Sequence, residues 1–163
     1  MLLRYSSLIS ILLCLHACGF QLRGSNLEAL QNSSVYVSSN GADQLAREVR
    51  IQLQNADIFP VGSITNAEYI INLSDEVFDR KVLSVSPRTG KVEEYEISYS
   101  AKMTIQGKNG EALVNSETII AERDYTFDEG SVLGTFTQES VLQTDIAKQA
   151  AAAVLRRLQV LTR

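Results

Sequence analysis

The side chains best suited to catalysis or transition-metal binding are confined to the first 18 residues of this chain. His16 is the single histidine, and Cys14 and Cys18 are the two cysteines among 163 residues. A Ser-His-Asp triad, a Cys-His pair or a histidine-containing zinc site would have to draw on this short segment. The chemistry open to the rest of the chain is therefore that of carboxylates, amines, guanidinium groups and hydroxyls.

Residues 1–17 have the composition of a secretory signal peptide. Arg4 precedes an apolar run that ends at Leu15, and the small residue Ala17 lies just before Cys18. The run has about half of the 20 residues that a transmembrane helix needs, and it lacks the polar residues at helical spacing that a buried core helix would show. We therefore predict cleavage after residue 17, which leaves 146 residues and, with the loss of Arg4, changes the net charge from −4 to −5.

The tetrapeptide Leu15-His16-Ala17-Cys18 resembles the lipobox of bacterial lipoproteins. In those proteins the cysteine receives a diacylglycerol on sulfur, the chain is cut before it, and the new amine is acylated. The next residue is Gly19 rather than the aspartate that retains lipoproteins in the inner membrane, so the resemblance implies an outer-membrane address. Each methylene buried in the bilayer contributes about 0.8 kcal/mol to membrane binding, so several acyl chains on one cysteine would hold the protein at the membrane permanently. We predict lipidation of Cys18, with a free or disulfide-bonded thiol as the alternative, and no other cofactor.

The predicted mature chain offers little for catalysis. It has no histidine, and its acidic clusters, Glu93-Glu94-Glu96 and Asp124-Asp128-Glu129, lack the spacing of an EF-hand or a Walker motif. Solvated strand faces account for both clusters. The chain has 15 basic and 19 acidic residues, whereas a nucleic-acid-binding protein usually has a basic excess. We predict no enzymatic activity, no metal site and no nucleic-acid partner.

The first half of the domain begins with a tether and a strand–helix unit. Residues 18–34 carry little periodicity and are predicted to be a lipidated tether, followed by a single domain over residues 35–163. The β-prone run at Val35 predicts the first strand. Apolar residues recur at spacings of three and four from Gly41 to Asp57, which predicts an amphipathic helix capped by Ser39 or Asn40.

The second half of the chain predicts three antiparallel strands and a long helix. A strand begins near Tyr69, residues 86–90 form a turn, and twelve residues at strict period two follow up to Ile105. A final strand extends to Phe127, and a capping box at Thr135 opens a helix through Leu161. The apolar face of that helix is predicted to comprise Val141, Leu142, Ile146, Ala150, Ala153, Val154 and Leu158. The order β-α-β-β-β-α predicts an α+β two-layer sandwich, with two helices on one face of a four-stranded, mainly antiparallel sheet.

Four of the 13 residues from 80 to 92 are basic and none is acidic: Arg80, Lys81, Arg88 and Lys91. All four fall in the outer part of the predicted hairpin, so positive charge is expected to gather near its tip. One interpretation is that these cations only protect an exposed hairpin edge. The other is an anion site, because guanidinium groups fit phosphate and lysine adds a point charge. Phosphorylated lipid is the polyanion that an exported lipoprotein would meet.

The segment Cys18-Gly19-Phe20-Gln21-Leu22-Arg23-Gly24 resembles the start of the mature LPS-assembly lipoproteins of the LptE (RlpB-like) family. The chain length, the β-α-β-β-β-α order and the pair Glu94-Tyr95 after the turn are also similar to that family. The resemblance implies a non-enzymatic partner of the barrel protein LptD. Such a partner is lipid-anchored on the periplasmic side of the outer membrane, plugs the barrel lumen, assists barrel assembly and helps deliver lipopolysaccharide to the outer leaflet.

The resemblance also implies candidate lipopolysaccharide-binding residues. Family members carry a basic residue in the hairpin turn, a position matched by Arg88, with Lys91, Arg80 and Lys81 nearby in sequence. Some members have a lysine in the loop before the last helix, but residues 134–137 contain no basic side chain. The alternative function is a stand-alone envelope lipoprotein that binds a small apolar ligand or scaffolds another complex.

Overall fold

The computed structural model describes residues 27–127 and 132–162, with the backbone alone at residues 28, 29 and 132–136. The strands are β1 (Val35–Asn40), β2 (Tyr69–Val85), β3 (Val92–Gly107) and β4 (Ala112–Thr126), and the helices are α1 (Asp43–Asn55) and α2 (Val132–Leu161). Two short 3₁₀ turns cover Leu27–Leu30 and Ile64–Asn66. The predicted signal peptide, Cys18, Asp128 and Glu129 lie outside the described residues.

The four strands form one mixed sheet in the order β1-β2-β3-β4. β1 pairs with β2 in parallel, and the other two pairings are antiparallel. Both helices pack on one face of the sheet, where their apolar stripes close a common core with the alternate residues of β2 and β3. The predicted α+β class and the β-α-β-β-β-α order are confirmed.

The sheet is much longer than the helix α1, and its two ends differ. At one end, called the base, lie the starts of β1 and β2 and the turn between β3 and β4, since Tyr69 pairs with Gly107. At the other end, called the tip, residues 86–91 join β2 to β3. β1 pairs only with the first six residues of β2, so the outer part of the hairpin is bordered by β4 alone.

A bulge in β2 connects the sheet to the start of α1. Ser74 pairs with Lys102 and Val77 with Ser100, so two residues, Asp75 and Glu76, oppose a single residue of β3. Asp75 takes the left-handed backbone conformation with φ of 54°. This bulge reverses which residues of β2 face the helices and turns the Glu76 side chain towards α1.

Glu76 satisfies the first turn of α1, which has no capping side chain of its own. The Gln44 N–H donates to Glu76 Oε2 over 3.1 Å, and the Leu45 N–H donates to Oε1 over 3.0 Å. The Tyr99 hydroxyl donates to the same Oε1 over 2.9 Å. The predicted capping role of Ser39 is only partly right: its Oγ accepts from the Ala42 N–H, while the amides of the first helical turn are bound by a carboxylate more than 30 residues away.

Tyr99 makes the stability of the fold sensitive to alkaline pH. Its side chain is 1% exposed, and burial together with the Glu76 carboxylate raises the pKa of its hydroxyl far above the ordinary value. The folded chain therefore keeps this proton at pH values where the unfolded chain has lost it, so stability falls as the pH rises above about 10. From this group alone we expect the free energy of unfolding to fall by up to about 1.4 kcal/mol per pH unit in that range.

Urea unfolding of the wild type and of Tyr99→Phe at pH 8 to 11 measures this slope. The variant lacks the titrating hydroxyl, so its stability is expected to fall less steeply with pH. Equal slopes in the two proteins would contradict the assignment to Tyr99.

Helix α2 differs from its prediction at its start and on its apolar face. It begins at Val132, so Thr135 lies inside the helix rather than at a capping box. The predicted core residue Val141 is 55% exposed, whereas Ala147, Ala151 and Leu155 are fully buried. The reason is that Val141 precedes the buried Ala150 by nine residues, or about two and a half helical turns, and so faces away from the buried stripe of α2.

The packed domain begins before the first strand. Leu27 and Leu30 lie in the 3₁₀ turn, are 3% and 0% exposed, and belong to the core. The turn contacts α2. The structured part therefore includes the last residues of the segment that was predicted to be a tether. No helix in the ranges that the structure describes has the length and hydropathy needed to cross a bilayer.

Candidate functional site

The tip is a tight, ordered turn that presents Arg88 to solvent. The Ser86 N–H donates to the Lys91 carbonyl over 2.7 Å, and the Gly90 N–H donates to the Ser86 carbonyl over 2.8 Å. Pro87 sets the bend, and Gly90 takes a φ of 71°, which is unfavourable for residues with a side chain. Arg88 and Lys91 are both exposed in this turn.

Arg80 lies on the helix-facing side of the hairpin and is tied to α2. Its Nη1 is 3.1 Å from Glu139 Oε2, and its guanidinium carbon is 4.8 Å from the centre of the Tyr95 ring. The Tyr125 hydroxyl donates to the same Glu139 oxygen over 3.2 Å. Interactions with Tyr125 and Glu139 raise the pKa of Arg80. This cation therefore has partners on three elements and joins the hairpin to the first half of α2.

Lys81 lies on the opposite, open face of the sheet. Its Nζ is 2.6 Å from Glu96 Oε1, and the hydrogen bond to Glu96 raises the pKa of the lysine. Glu96 in turn pairs with Asp124 across the β3–β4 ladder. The open face at this level is therefore acidic around a single paired lysine.

The four basic residues therefore do not form one patch, contrary to the expectation that their charge gathers at the tip. Neighbouring residues of a strand point to opposite faces, which separates Arg80 from Lys81, and both pair with glutamates that are distant in sequence. In the β2–β3 ladder, Arg80 lies opposite Ile97 and Lys81 lies opposite Glu96, so both residues are well before the turn. Arg88 and Lys91 are the members of the predicted set that the structure places at the tip.

Exposed aliphatic side chains accompany the two cations at the tip. The last residues of β2 include three aliphatic side chains that are about half exposed. These are Val82, Leu83 and Val85, which are 50%, 44% and 52% exposed. Leu83 sits at an irregularity in the ladder, between the pairs Val82–Tyr95 and Ser84–Glu94. Exposed aliphatic side chains close to cations match an amphiphile with an anionic head group.

An aromatic cluster lies next to Val82 in the outer part of the hairpin and was not anticipated as a unit. The rings of Tyr95 and Tyr125 stack with centroids 5.7 Å apart, and Phe127 meets Tyr95 edge-on at 5.3 Å. The sequence did carry the signal, since Tyr95 and Tyr125 both fall on the apolar side of their alternating strands. The register that pairs them directly could not be read from alternation alone.

Two open depressions, one beside Arg80 and one at the base, are lined mainly by polar residues. One of about 470 Å³ lies beside the Arg80–Glu139 pair and is also lined by Ser140 and Gln143. Another, at the base, is lined mainly by polar residues and has a volume of about 500 Å³. Within residues 27–127 and 132–162, no group of three or more histidine, cysteine, aspartate or glutamate side chains is placed to hold a metal ion.

Comparisons with solved structures place the fold among bacterial lipoproteins. A rare lipoprotein B from Shewanella oneidensis is 26% identical, with a TM-score of 0.65 over 77% of this chain and 92% of that one. An uncharacterized lipoprotein B from Nitrosomonas europaea is 21% identical, with a TM-score of 0.69 over 88% and 92%. A minor lipoprotein from Acinetobacter baumannii is 19% identical, with a TM-score of 0.62 over 78% and 91%. The last two likenesses concern the fold alone.

No curated protein matches the chain by sequence. The family described as "LptE: Lipopolysaccharide-assembly" matches residues 32–158, which is most of the chain and includes every strand, α1 and nearly all of α2. The resemblance noted in the sequence is thereby confirmed, and the chain belongs to the LptE lipopolysaccharide-assembly family.

Proposed function

We propose that this protein is a non-enzymatic lipoprotein of the outer membrane that plugs the LptD barrel, assists its assembly and helps deliver lipopolysaccharide to the outer leaflet. Membership of the family supports the general role in lipopolysaccharide assembly. The lipid anchor at Cys18, the partner barrel and the position in its lumen belong to the proposal.

The observation that carries the proposal is the distance between the two ends of the sheet. β2 has 17 residues and β3 has 16, and at about 3.3 Å per residue the hairpin is about 50 Å long. The chain enters at the base, nine residues after Cys18, whereas Arg88 lies at the tip. A bilayer with its head groups is about 40–45 Å thick. A domain anchored by lipid in the periplasmic leaflet could therefore carry its tip through a barrel to the level of the outer leaflet.

The chemistry of the tip suits the proposed cargo. Lipopolysaccharide has phosphorylated sugars and acyl chains, and the tip offers Arg88 and Lys91 beside the exposed Val82 and Val85. Guanidinium and ammonium groups bind phosphate, and the exposed aliphatic side chains can contact acyl chains. No bond of the cargo needs to be broken, so positioning alone is sufficient for this role.

The alternative of a stand-alone carrier of an apolar ligand gains no support from the described residues. A carrier needs an enclosed apolar cavity, whereas the two depressions described above are open and lined mainly by polar side chains. The space between the sheet and the helices is filled by the buried side chains of the core.

Affinity capture of the full, lipidated chain from outer membranes tests the proposal. We expect LptD to co-purify in near-equal amount after gentle solubilisation, and mass spectrometry to find acyl groups on an amino-terminal Cys18. A Cys18→Ser variant is the matched control for the anchor and should leave the membrane fraction. Isolation of the lipidated wild type as a free monomer would overturn the plug role.

A further inference from the structure

We propose that the loop from Phe59 to Ile64 forms a second membrane contact, which inserts apolar side chains into the leaflet that holds the Cys18 lipid before the chain is seated in its barrel. This inference rests on the lipid anchor of the proposed function. The occupant to which we commit is the lipid surface itself. The contact would orient the free lipoprotein with its tip directed away from the membrane.

The loop holds its apolar side chains in solvent on a fixed backbone. Phe59 is 71% exposed, although its neighbour Ile58 is 3% exposed and belongs to the core. Two residues further on, the Val61 N–H donates to the Val35 carbonyl over 2.9 Å. Phe59 thus projects into solvent from between two anchored positions.

A second apolar side chain lies on the same loop. Ile64 is 52% exposed in the 3₁₀ turn that follows, where the Ser63 hydroxyl accepts from the Thr65 N–H. Val160, in the last turn of α2, is 62% exposed and lies towards the same end because α2 runs back from the tip to the base. Single exposed apolar residues are common on soluble proteins, but several at one end of a molecule indicate an interaction surface.

The position of this loop relative to the anchor identifies the lipid surface as its occupant. The hydrogen bond between Val61 and Val35 places the loop at the start of β1, next to the residues that follow the Leu27–Leu30 turn. Leu27 is only nine residues after Cys18, a span of at most about 30 Å when fully extended. A membrane that holds a lipid on Cys18 therefore lies within reach of Phe59.

The charges around the loop indicate that the contact is apolar rather than electrostatic. Glu68 and Lys108 line the same open depression as Thr65, and Asp57 and Glu111 add further negative charge at the base. This mixture gives no net attraction to anionic head groups. We therefore expect the contact to form on zwitterionic membranes and to be insensitive to salt.

The absence of tryptophan from the chain allows a direct test. The lipidated full-length mature protein, carrying Phe59→Trp, is placed in vesicles of phosphatidylethanolamine and phosphatidylcholine with brominated acyl chains. The matched control is Ile120→Trp, whose site is 66% exposed on the open face of the sheet. We expect the tryptophan emission at residue 59 to shift to shorter wavelength and to be quenched at least threefold. The emission at residue 120 should match that of the same Ile120→Trp variant in detergent-free buffer without vesicles.

Each outcome separates this inference from the proposed function. Unquenched emission at residue 59 in protein that floats with the vesicles would overturn the second contact and leave the anchor intact. Equal quenching at residues 59 and 120 would overturn the proposed orientation. If the protein fails to float with the vesicles, the lipid anchor is wrong and this inference fails with it. If the emission at residue 59 shifts to shorter wavelength only after the barrel is added, the loop contacts protein instead of lipid.

Discussion

Replacement of Glu76 by alanine is expected to lower the free energy of unfolding by about 2–4 kcal/mol. The carboxylate accepts hydrogen bonds from the Gln44 and Leu45 amides and from the Tyr99 hydroxyl. Loss of a helix cap alone removes about 1 kcal/mol, and a buried hydroxyl left without a partner removes about 1–3 kcal/mol more. Truncation also removes a hydrogen-bonded link that joins β2, β3 and α1.

Urea or thermal unfolding of the full mature chain measures this effect, and two variants control for it. Asp75→Asn removes the neighbouring ion pair with Lys102 but keeps a residue type that tolerates the left-handed backbone. Because that pair is exposed, its loss should leave the melting temperature almost unchanged. Glu76→Gln keeps an acceptor oxygen and should lie between the wild type and Glu76→Ala. A melting temperature for Glu76→Ala equal to that of Asp75→Asn would show that the capping contact contributes nothing.

The elements that depend on local periodicity could be predicted from the sequence. The apolar residues of α1 recur at three and four, and Leu45, Ala46, Val49 and Leu53 are indeed fully buried. The strict alternation in β3 likewise puts Ile97, Tyr99 and Met103 in the core. In both cases a single face is buried, and that face is encoded in consecutive residues.

The phase of β2 could not be predicted, because a bulge changes it within the strand. Before the bulge, Ile71 and Leu73 point to the helices; after it, Phe78 and Arg80 do so. Apolar residues therefore occur on both sides of the bulge in sequence, but the alternating positions that face the helices shift by one residue at the bulge. Val77 consequently lies on the open face and is 53% exposed. The capping role of Glu76 depends on the same bulge and so had no local signal.

The basic residues of the hairpin show the same limit for a functional site. Sequence spacing suggested one cluster, but the charge that surrounds each residue is set by cross-strand and helix partners. Glu96 reaches Lys81 through the β2–β3 register, and Glu139 reaches Arg80 from a helix about 60 residues later. The position of a charge in the folded hairpin is therefore a more selective criterion for ligand binding than charge density in sequence, and it places Arg88 and Lys91 at the tip.

The double charge reversal Arg88→Glu with Lys91→Glu is expected to weaken lipopolysaccharide binding about 100-fold, which corresponds to about 2.7 kcal/mol. Each exposed cation contributes about 1 kcal/mol to a phosphate contact, and reversal replaces attraction with repulsion at both positions. Because the contacts are exposed, the wild-type affinity should also fall as salt is raised, and the variant should show a shallower salt dependence.

The matched control is Lys108→Glu with Arg156→Glu, which makes the same change in net charge away from the tip. Lys108 lies in the turn at the base and Arg156 on the exposed side of α2, so this variant tests whether total charge rather than position governs binding. Binding of both variants to immobilised lipopolysaccharide is compared with their melting temperatures. We expect both to unfold near the wild-type temperature, because neither removes a buried contact, and only the tip variant to lose binding. Equal losses in the two variants, or unchanged binding of the tip variant, would show that Arg88 and Lys91 are ordinary surface residues, since the proposed phosphate site requires the cations to lie at the tip of a hairpin about 50 Å long.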